Sequence, residues 1–177
     1  VPKDAQDRSV IAKSAIQKML KTDPAPFMTK KAAKLITPGN IEDDIEKIGE
    51  CDWIVEVVLE DLKIKEATYE KIEKHRKKGS IVSSNTSTIP LKVLSEKLKA
   101  EDKKDFCITH FFNPVRYMGL LEIVIDKLND QNKINYLKDF SEEKLGKGVI
   151  VCGDTPGFLG NRIGVYAMQV AMTEAVK

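Results

Sequence analysis

The sequence predicts an α/β fold: a largely parallel sheet with helices on both faces. Apolar runs of strand length alternate with helical stretches, and several of those runs are apolar throughout, as expected of strands covered on both sides. Glu60, Ser84-Asn85 and His110 fall at or just past the ends of three such runs. Open α/β sheets place ligands beyond the carboxyl ends of their strands, so these polar positions are expected to share one edge.

Each element has its own signal. A first helix is expected from Asp7 to about Lys21, with Val10, Ile11, Ile16, Met19 and Leu20 on one face, until Thr22-Asp-Pro-Ala-Pro26 breaks it. Asn40 is a good N-cap for a short helix on which Ile41, Ile45 and Ile48 share a face. Asp52–Glu60 reads as a strand, Leu62–His75 as a helix ending near Gly79, and Ser80–Ser84 as a second strand entering the turn Asn85-Thr-Ser87. Pro90 suits the first turn of another helix. The runs Asp105–Pro114 and Met118–Ile125 are short, β-branched or aromatic, and bounded by Asn-Pro or charge, so both read as buried strands. A helix from Asn132 to Leu145 stops at Gly146, and Val149–Cys152 forms a last strand. The loop Gly153-Asp-Thr-Pro-Gly157 then leads into a terminal helix from Leu159, with Ile163, Tyr166, Ala167, Val170 and Ala171 on one face.

Composition narrows the function classes. The chain has 177 residues, 42% hydrophobic and 32% charged, with a net charge of +2. That is enough to bury a sizeable core in one domain, or in one domain and part of another. Its lysines are interspersed with glutamates, with no basic stripe and no interleaved aromatics, which argues against a nucleic-acid partner. Cys51, Cys107 and Cys152 form no Cys-x-x-Cys pair and read as reduced thiols, so no metal site is expected. No apolar stretch approaches the roughly 20 residues that span a bilayer, and no signal peptide is visible, so a cytoplasmic location away from membranes is expected.

The chemistry should lie at His110. An ionisable residue in a core strand costs several kcal/mol, to order of magnitude, unless it is paired. His110 and Glu122 sit in successive apolar runs and can cancel that cost by bonding to each other. A histidine held in one tautomer by a carboxylate is a general acid/base. His75, in Lys74-His-Arg-Lys-Lys78, reads as solvated surface.

Four elements, two of which carry this pair, stand together in order: Ser83-Ser-Asn-Thr-Ser87, Thr109-His-Phe-Phe-Asn-Pro114, Leu120-Leu-Glu-Ile-Val124, and Asp154-Thr-Pro-Gly-Phe-Leu-Gly-Asn-Arg162. Together with Thr37-Pro-Gly-Asn-Ile-Glu-Asp-Asp44 and Asp52-Trp-Ile-Val-Glu56 they resemble the L-3-hydroxyacyl-CoA dehydrogenases, most of all the long bacterial members, over essentially the whole chain. The resemblance implies a Rossmann-type, doubly wound sheet and NAD-dependent oxidation of an acyl-CoA substrate, in β-oxidation or 3-hydroxybutyryl-CoA metabolism. It implies that His110 takes the proton of the 3-hydroxyl, that Glu122 stabilises the resulting imidazolium, that Ser87 bonds the substrate oxygen, and that Asn161 holds the thioester side. It also implies that Glu60, Lys65, Ser87 and Asn113 approach the cofactor.

The chain departs from the family pattern in lacking a Gly-x-Gly-x-x-Gly turn and the two strands expected around it. Residues 1–157 are therefore expected to form an incomplete dinucleotide-binding domain, and residues 158–177 to start a helical C-terminal domain. The chain begins Val1-Pro-Lys-Asp4 and stops within a helix, which reads as a piece of a longer polypeptide, inactive alone; the whole protein is expected to be a homodimer through the C-terminal domain. Two other readings stand beside this one. The first is a non-catalytic binding or structural relative. The second is a dehydrogenase of free hydroxy acids, although relatives of that kind typically use lysine as the base.

Overall fold

The computed structural model describes residues 7–177; residues 1–6, which open the expected first domain, lie outside the described residues. A five-stranded sheet in the order β1-β2-β3-β4-β5 organises the chain. Its strands are β1 (Trp53–Glu56), β2 (Ile81–Ser84), β3 (Phe106–Phe111), β4 (Leu120–Ile125) and β5 (Gly148–Gly153). The α-helices are α1 (Val10–Met19), α2 (Ile41–Asp44), α3 (Leu62–His75), α4 (Leu91–Leu94), α5 (Ala100–Lys103), α6 (Gln131–Glu143) and α7 (Gly160–Ala175).

Strands β1, β2 and β3 pair in parallel, as do β4 and β5, whereas β3 and β4 are antiparallel. The sheet is thus largely parallel, as expected, with one antiparallel pairing at β3–β4. The connection 112–119 explains the reversal, because a parallel crossover needs a dozen or more residues.

Side chains alternate across each strand, and that alternation builds two cores. On one face Val82, Phe106, Ile108 and Val124 pack under Tyr69 and Ile72 of α3 and Leu91 and Leu94 of α4. On the other, Ile81, Cys107, Leu121 and Ile123 pack under Ile134 and Leu137 of α6. Each such buried aliphatic side chain contributes about 1.5–3 kcal/mol. The same period-2 rule puts Glu56, Ser84, His110 and Glu122 on the first face, in register with its apolar residues.

Local signals set the helix boundaries. Asn40 accepts from the backbone N–H groups of Glu42 and Asp43, Asp61 caps α3 through Ile64, and Asp130 caps α6 through Asn132. Gly146, with φ +65°, follows α6 in the left-handed conformation that glycine adopts without strain. The helix signalled at Pro90 is a single turn, α4, whose N-terminal amides are capped from outside. Asp154 accepts from Leu91 N–H at 2.8 Å and Lys92 N–H at 2.9 Å, tying the β5–α7 loop to the start of α4. Asp154→Ala is expected to lower stability by about 0.5–2 kcal/mol, read as a shift in the urea midpoint.

The apolar faces expected on the first and last helices are formed but little covered: α1 and α7 bury no residue. The short helix expected after Asn40 forms as α2 and continues as a 3-10 helix over Ile45–Glu50, whereas the 3-10 helix Lys30–Leu35 and the turn α5 carry no sequence signal strong enough to foresee. Among the described residues no helix is long and apolar enough to cross a membrane.

Candidate active site

The antiparallel register of β3 and β4 places His110 directly opposite Glu122. His110 Nδ1 lies 2.7 Å from Glu122 Oε2, and both side chains are buried. A carboxylate can only accept, so Nδ1 carries the proton and Nε2 keeps its lone pair. Ser87 Oγ lies 3.0 Å from Nε2 and donates to it.

Glu122 is held from its other side as well. Its Oε1 accepts from Leu159 N–H at 2.8 Å and Gly160 N–H at 2.7 Å, at the start of α7. Those amides are free because a helix N-terminus leaves its first N–H groups unpaired, and the partial positive charge there favours the carboxylate. Glycine at position 160 allows the approach: a Cβ there would lie 2.8 Å from Phe112 Cζ. Phe112 and Phe158 pack against the imidazole, with ring centroids 4.5 and 5.5 Å away. Phe158 holds φ +48°, an uncommon conformation for a bulky residue, with its ring buried beside His110.

The other expected site residues surround this pair unequally. Glu60, in the loop after β1, keeps its side chain 41% exposed and bonds the hydroxyls of Thr86 and Thr88, the latter at 3.0 Å. Burial raises its pKa, but the bonds from Thr86, Thr88 and Lys65 outweigh burial and hold the carboxyl below the usual glutamate range. Its contribution to stability is present above the ordinary glutamate pKa and is lost as pH falls through the lowered one. Lys65 is 1% exposed, its ammonium 2.9 and 3.1 Å from the oxygens of Glu56 and 3.2 Å from Glu60. Asn113 is exposed just past β3, and Asn161 is half-buried in the first turn of α7, next to Gly160.

The structural duties of three residues here were not foreseen in the sequence. Glu56 ends β1 and is buried as the acceptor for Lys65, Tyr69 and Ser84. Asn85 accepts from Phe111 N–H at 3.0 Å, tying the end of β2 to the end of β3. Asp154 caps α4. The signal for Glu56 was present, a lone acid in the middle of the apolar run Asp52–Glu60, which needs a partner where the strand is buried.

A model of the family described as 3-hydroxyacyl-CoA dehydrogenase, NAD binding domain, matches residues 3–155. The chain belongs to the 3-hydroxyacyl-CoA dehydrogenase family. It is 46% identical over 176 residues to a protein of Bacillus subtilis named probable 3-hydroxyacyl-CoA dehydrogenase, covering 99% of this chain and 22% of that protein. A protein of the same name from Deinococcus radiodurans is 42% identical over 174 residues, covering 98% of this chain and 50% of its own length. The crystal structure of an Archaeoglobus fulgidus 3-hydroxyacyl-CoA dehydrogenase superposes with a TM-score of 0.66 at 27% identity, over 87% of this chain and 53% of that one. The chain thus spans about a fifth to a half of the length of these relatives, and residues 3–155 of it fall in the part of the family described as NAD-binding.

The thiols of this dehydrogenase-family chain are placed for packing. Burial pushes Cys107 up to about 12, and burial with the nearby Glu122 charge pushes Cys152 up to about 11. Alkylation at neutral pH is expected to label the exposed Cys51 first and Cys107 only on unfolding, as mass spectrometry of the labelled peptides would show.

Proposed function

We propose that the polypeptide carrying this chain oxidises L-3-hydroxyacyl-CoA to 3-oxoacyl-CoA with NAD⁺, in β-oxidation or 3-hydroxybutyryl-CoA metabolism. The observation that carries the reading is the chain of contacts from Ser87 through His110 to Glu122 and the start of α7. It leaves an unprotonated Nε2 facing Ser87, with the charge that will stabilise an imidazolium already in place.

His110 Nε2 takes the proton of the substrate 3-hydroxyl while the C3–H bond breaks, and the hydroxyl becomes a carbonyl. Bound NAD⁺ supplies the acceptor for the hydride leaving C3. Glu122 accepts from Nδ1–H throughout and is neither protonated nor moved. Ser87 donates to the substrate oxygen in place of Nε2, fixing C3 in line for transfer, and Asn161 holds the thioester end. A positioned acid/base group of this kind is worth about 10²–10⁴-fold in rate.

The residues fit the nicotinamide end of the cofactor. Glu60, Ser87 and Asn113 lie at or past the carboxyl ends of β1, β2 and β3, and Lys65 supports Glu60 from below. The pyrophosphate finds no Gly-x-Gly-x-x-Gly turn in these 177 residues, so the chain by itself is expected to leave the substrate unoxidised. We divide it into a dinucleotide-binding part, residues 1–157, and the start of a helical part, residues 158–177. A homodimer through helical C-terminal segments belongs to the same reading. Ile163, Tyr166 and Met172 of α7, 60–69% exposed, are among the apolar side chains such packing would cover.

A panel of L-3-hydroxyacyl-CoA thioesters and free 3-hydroxy acids, offered with NAD⁺ to the full-length protein, tests the proposal. NADH formation from the thioesters alone is the expected result. Oxidation of the free acids instead would point to another dehydrogenase class, and none in a folded protein to a non-catalytic relative.

A further inference from the structure

Glu56 has no part in the proposed chemistry, yet it is the most heavily bonded carboxylate near the site. It is buried at the end of β1 and accepts from Val58 N–H at 2.6 Å, Tyr69 Oη at 2.7 Å, Ser84 Oγ at 2.7 Å and the Lys65 ammonium at 2.9 and 3.1 Å. Removing a carboxylate and an ammonium from water is expensive, and such a pair is weak evidence for stability. What the arrangement does give is geometry.

Two routes run from Glu56 to the segment 84–88. In the first, Ser84 Oγ donates to Glu56 and accepts from Thr86 N–H at 3.3 Å. In the second, Lys65 uses its remaining reach on Glu60, 3.2 Å away, and Glu60 accepts from the hydroxyls of Thr86 and Thr88. The backbone carbonyl of Glu56 adds a third tie by accepting from Asn85 N–H at 2.9 Å. Ser84, Asn85, Thr86 and Thr88 are thus all anchored around Ser87, the residue that meets His110 Nε2. Resting on the dehydrogenase reading above, we infer that Glu56 is a positioning residue: through Ser84 and through Lys65–Glu60–Thr86 it holds the Ser87 hydroxyl against His110.

The test uses Glu56→Gln, Ser87→Ala and the double variant in the full-length protein. Glu56→Gln keeps the side-chain volume but leaves the Lys65 charge to Glu60 alone, drawing Glu60 away from Thr86 and Thr88. The expected result is a fall in kcat of about ten- to hundredfold, since ångström misplacement costs on that scale, with KM for the acyl-CoA within about twofold. In the Ser87→Ala background the same substitution should change kcat by less than about twofold, because no hydroxyl remains to be positioned. An equal factor in both backgrounds would mean a merely structural role and would overturn the inference. If Glu56→Gln fails to fold, Ser84→Ala cuts the first route without stranding a buried charge, and should show the same non-additive pattern on a smaller scale. The His110 Nε2 ¹⁵N chemical shift gives an arm independent of turnover. In Glu56→Gln it should move towards its Ser87→Ala value, and an unmoved shift would also overturn the inference. Wild-type protein that forms no NADH while the shift moves as stated would sink the dehydrogenase reading and leave the positioning intact.

Discussion

Glu122→Gln in the full-length protein is expected to lower kcat by about 10²–10⁴-fold while leaving it folded. The glutamine oxygen can keep the bonds from Leu159 and Gly160 N–H, which places its NH₂ against His110 Nδ1. An NH₂ donates, so the imidazole must turn to the other tautomer and present N–H rather than a lone pair at Nε2. The base is then lost with every buried group still partnered, and the stability cost stays near 1–3 kcal/mol, the difference between charged and neutral hydrogen bonds. Glu122→Ala differs: it strands two helix amides and Nδ1–H, each at about 1–3 kcal/mol. Urea titration beside steady-state kinetics separates the two variants, since the glutamine variant should lose activity far more than stability.

Lys65→Met, on α3, is expected to be strongly destabilising, at about 3–5 kcal/mol. It leaves Glu56 charged and buried, with Val58 N–H, Tyr69 and Ser84 as its remaining donors. Burial, aided by the hydrogen bond and charge at Glu56 and opposed by the bond to Ser84, pushes the Tyr69 hydroxyl well above its ordinary range, so it stays a neutral donor and cannot replace the lost cation. Adding Glu56→Gln to Lys65→Met should recover part of the loss, because two neutral side chains replace an unpaired ion. Denaturant midpoints for the two single variants and the double variant check this. A double variant at least as unstable as the sum of the singles would contradict the charge-pair account.

The His110–Glu122 pair was legible because it breaks a rule locally. A histidine and a glutamate, each inside an apolar strand, have few ways to coexist except together, and the β3–β4 register lets them meet. The surprise lay in the direction: a sheet expected to be largely parallel turns antiparallel at that pairing, and a short connection rather than a crossover joins the two strands. Ser87 was placed near the chemistry by resemblance, while its contact with Nε2 came only from the structure.

What stayed hidden depends on long-range partners. Asp154 caps α4 across 63 positions, a pairing no local window contains. Lys65 was placed near the cofactor by resemblance alone, while its burial against Glu56 came only from the structure. The second bond set of Glu122 was invisible for the same reason. The start of α7 could be read from Leu159 onward, but not that its amides would close on a strand 37 positions away.

The most direct test of the account is NADH formation from L-3-hydroxybutyryl-CoA by the full-length protein, wild type against His110→Ala. Turnover in the wild type that falls at least about 100-fold in the variant, with the fold retained, is the predicted result. A folded His110→Ala variant that keeps turnover within a few-fold of wild type would contradict it, because the proton would then be leaving by a route that does not involve the Ser87–His110–Glu122 chain.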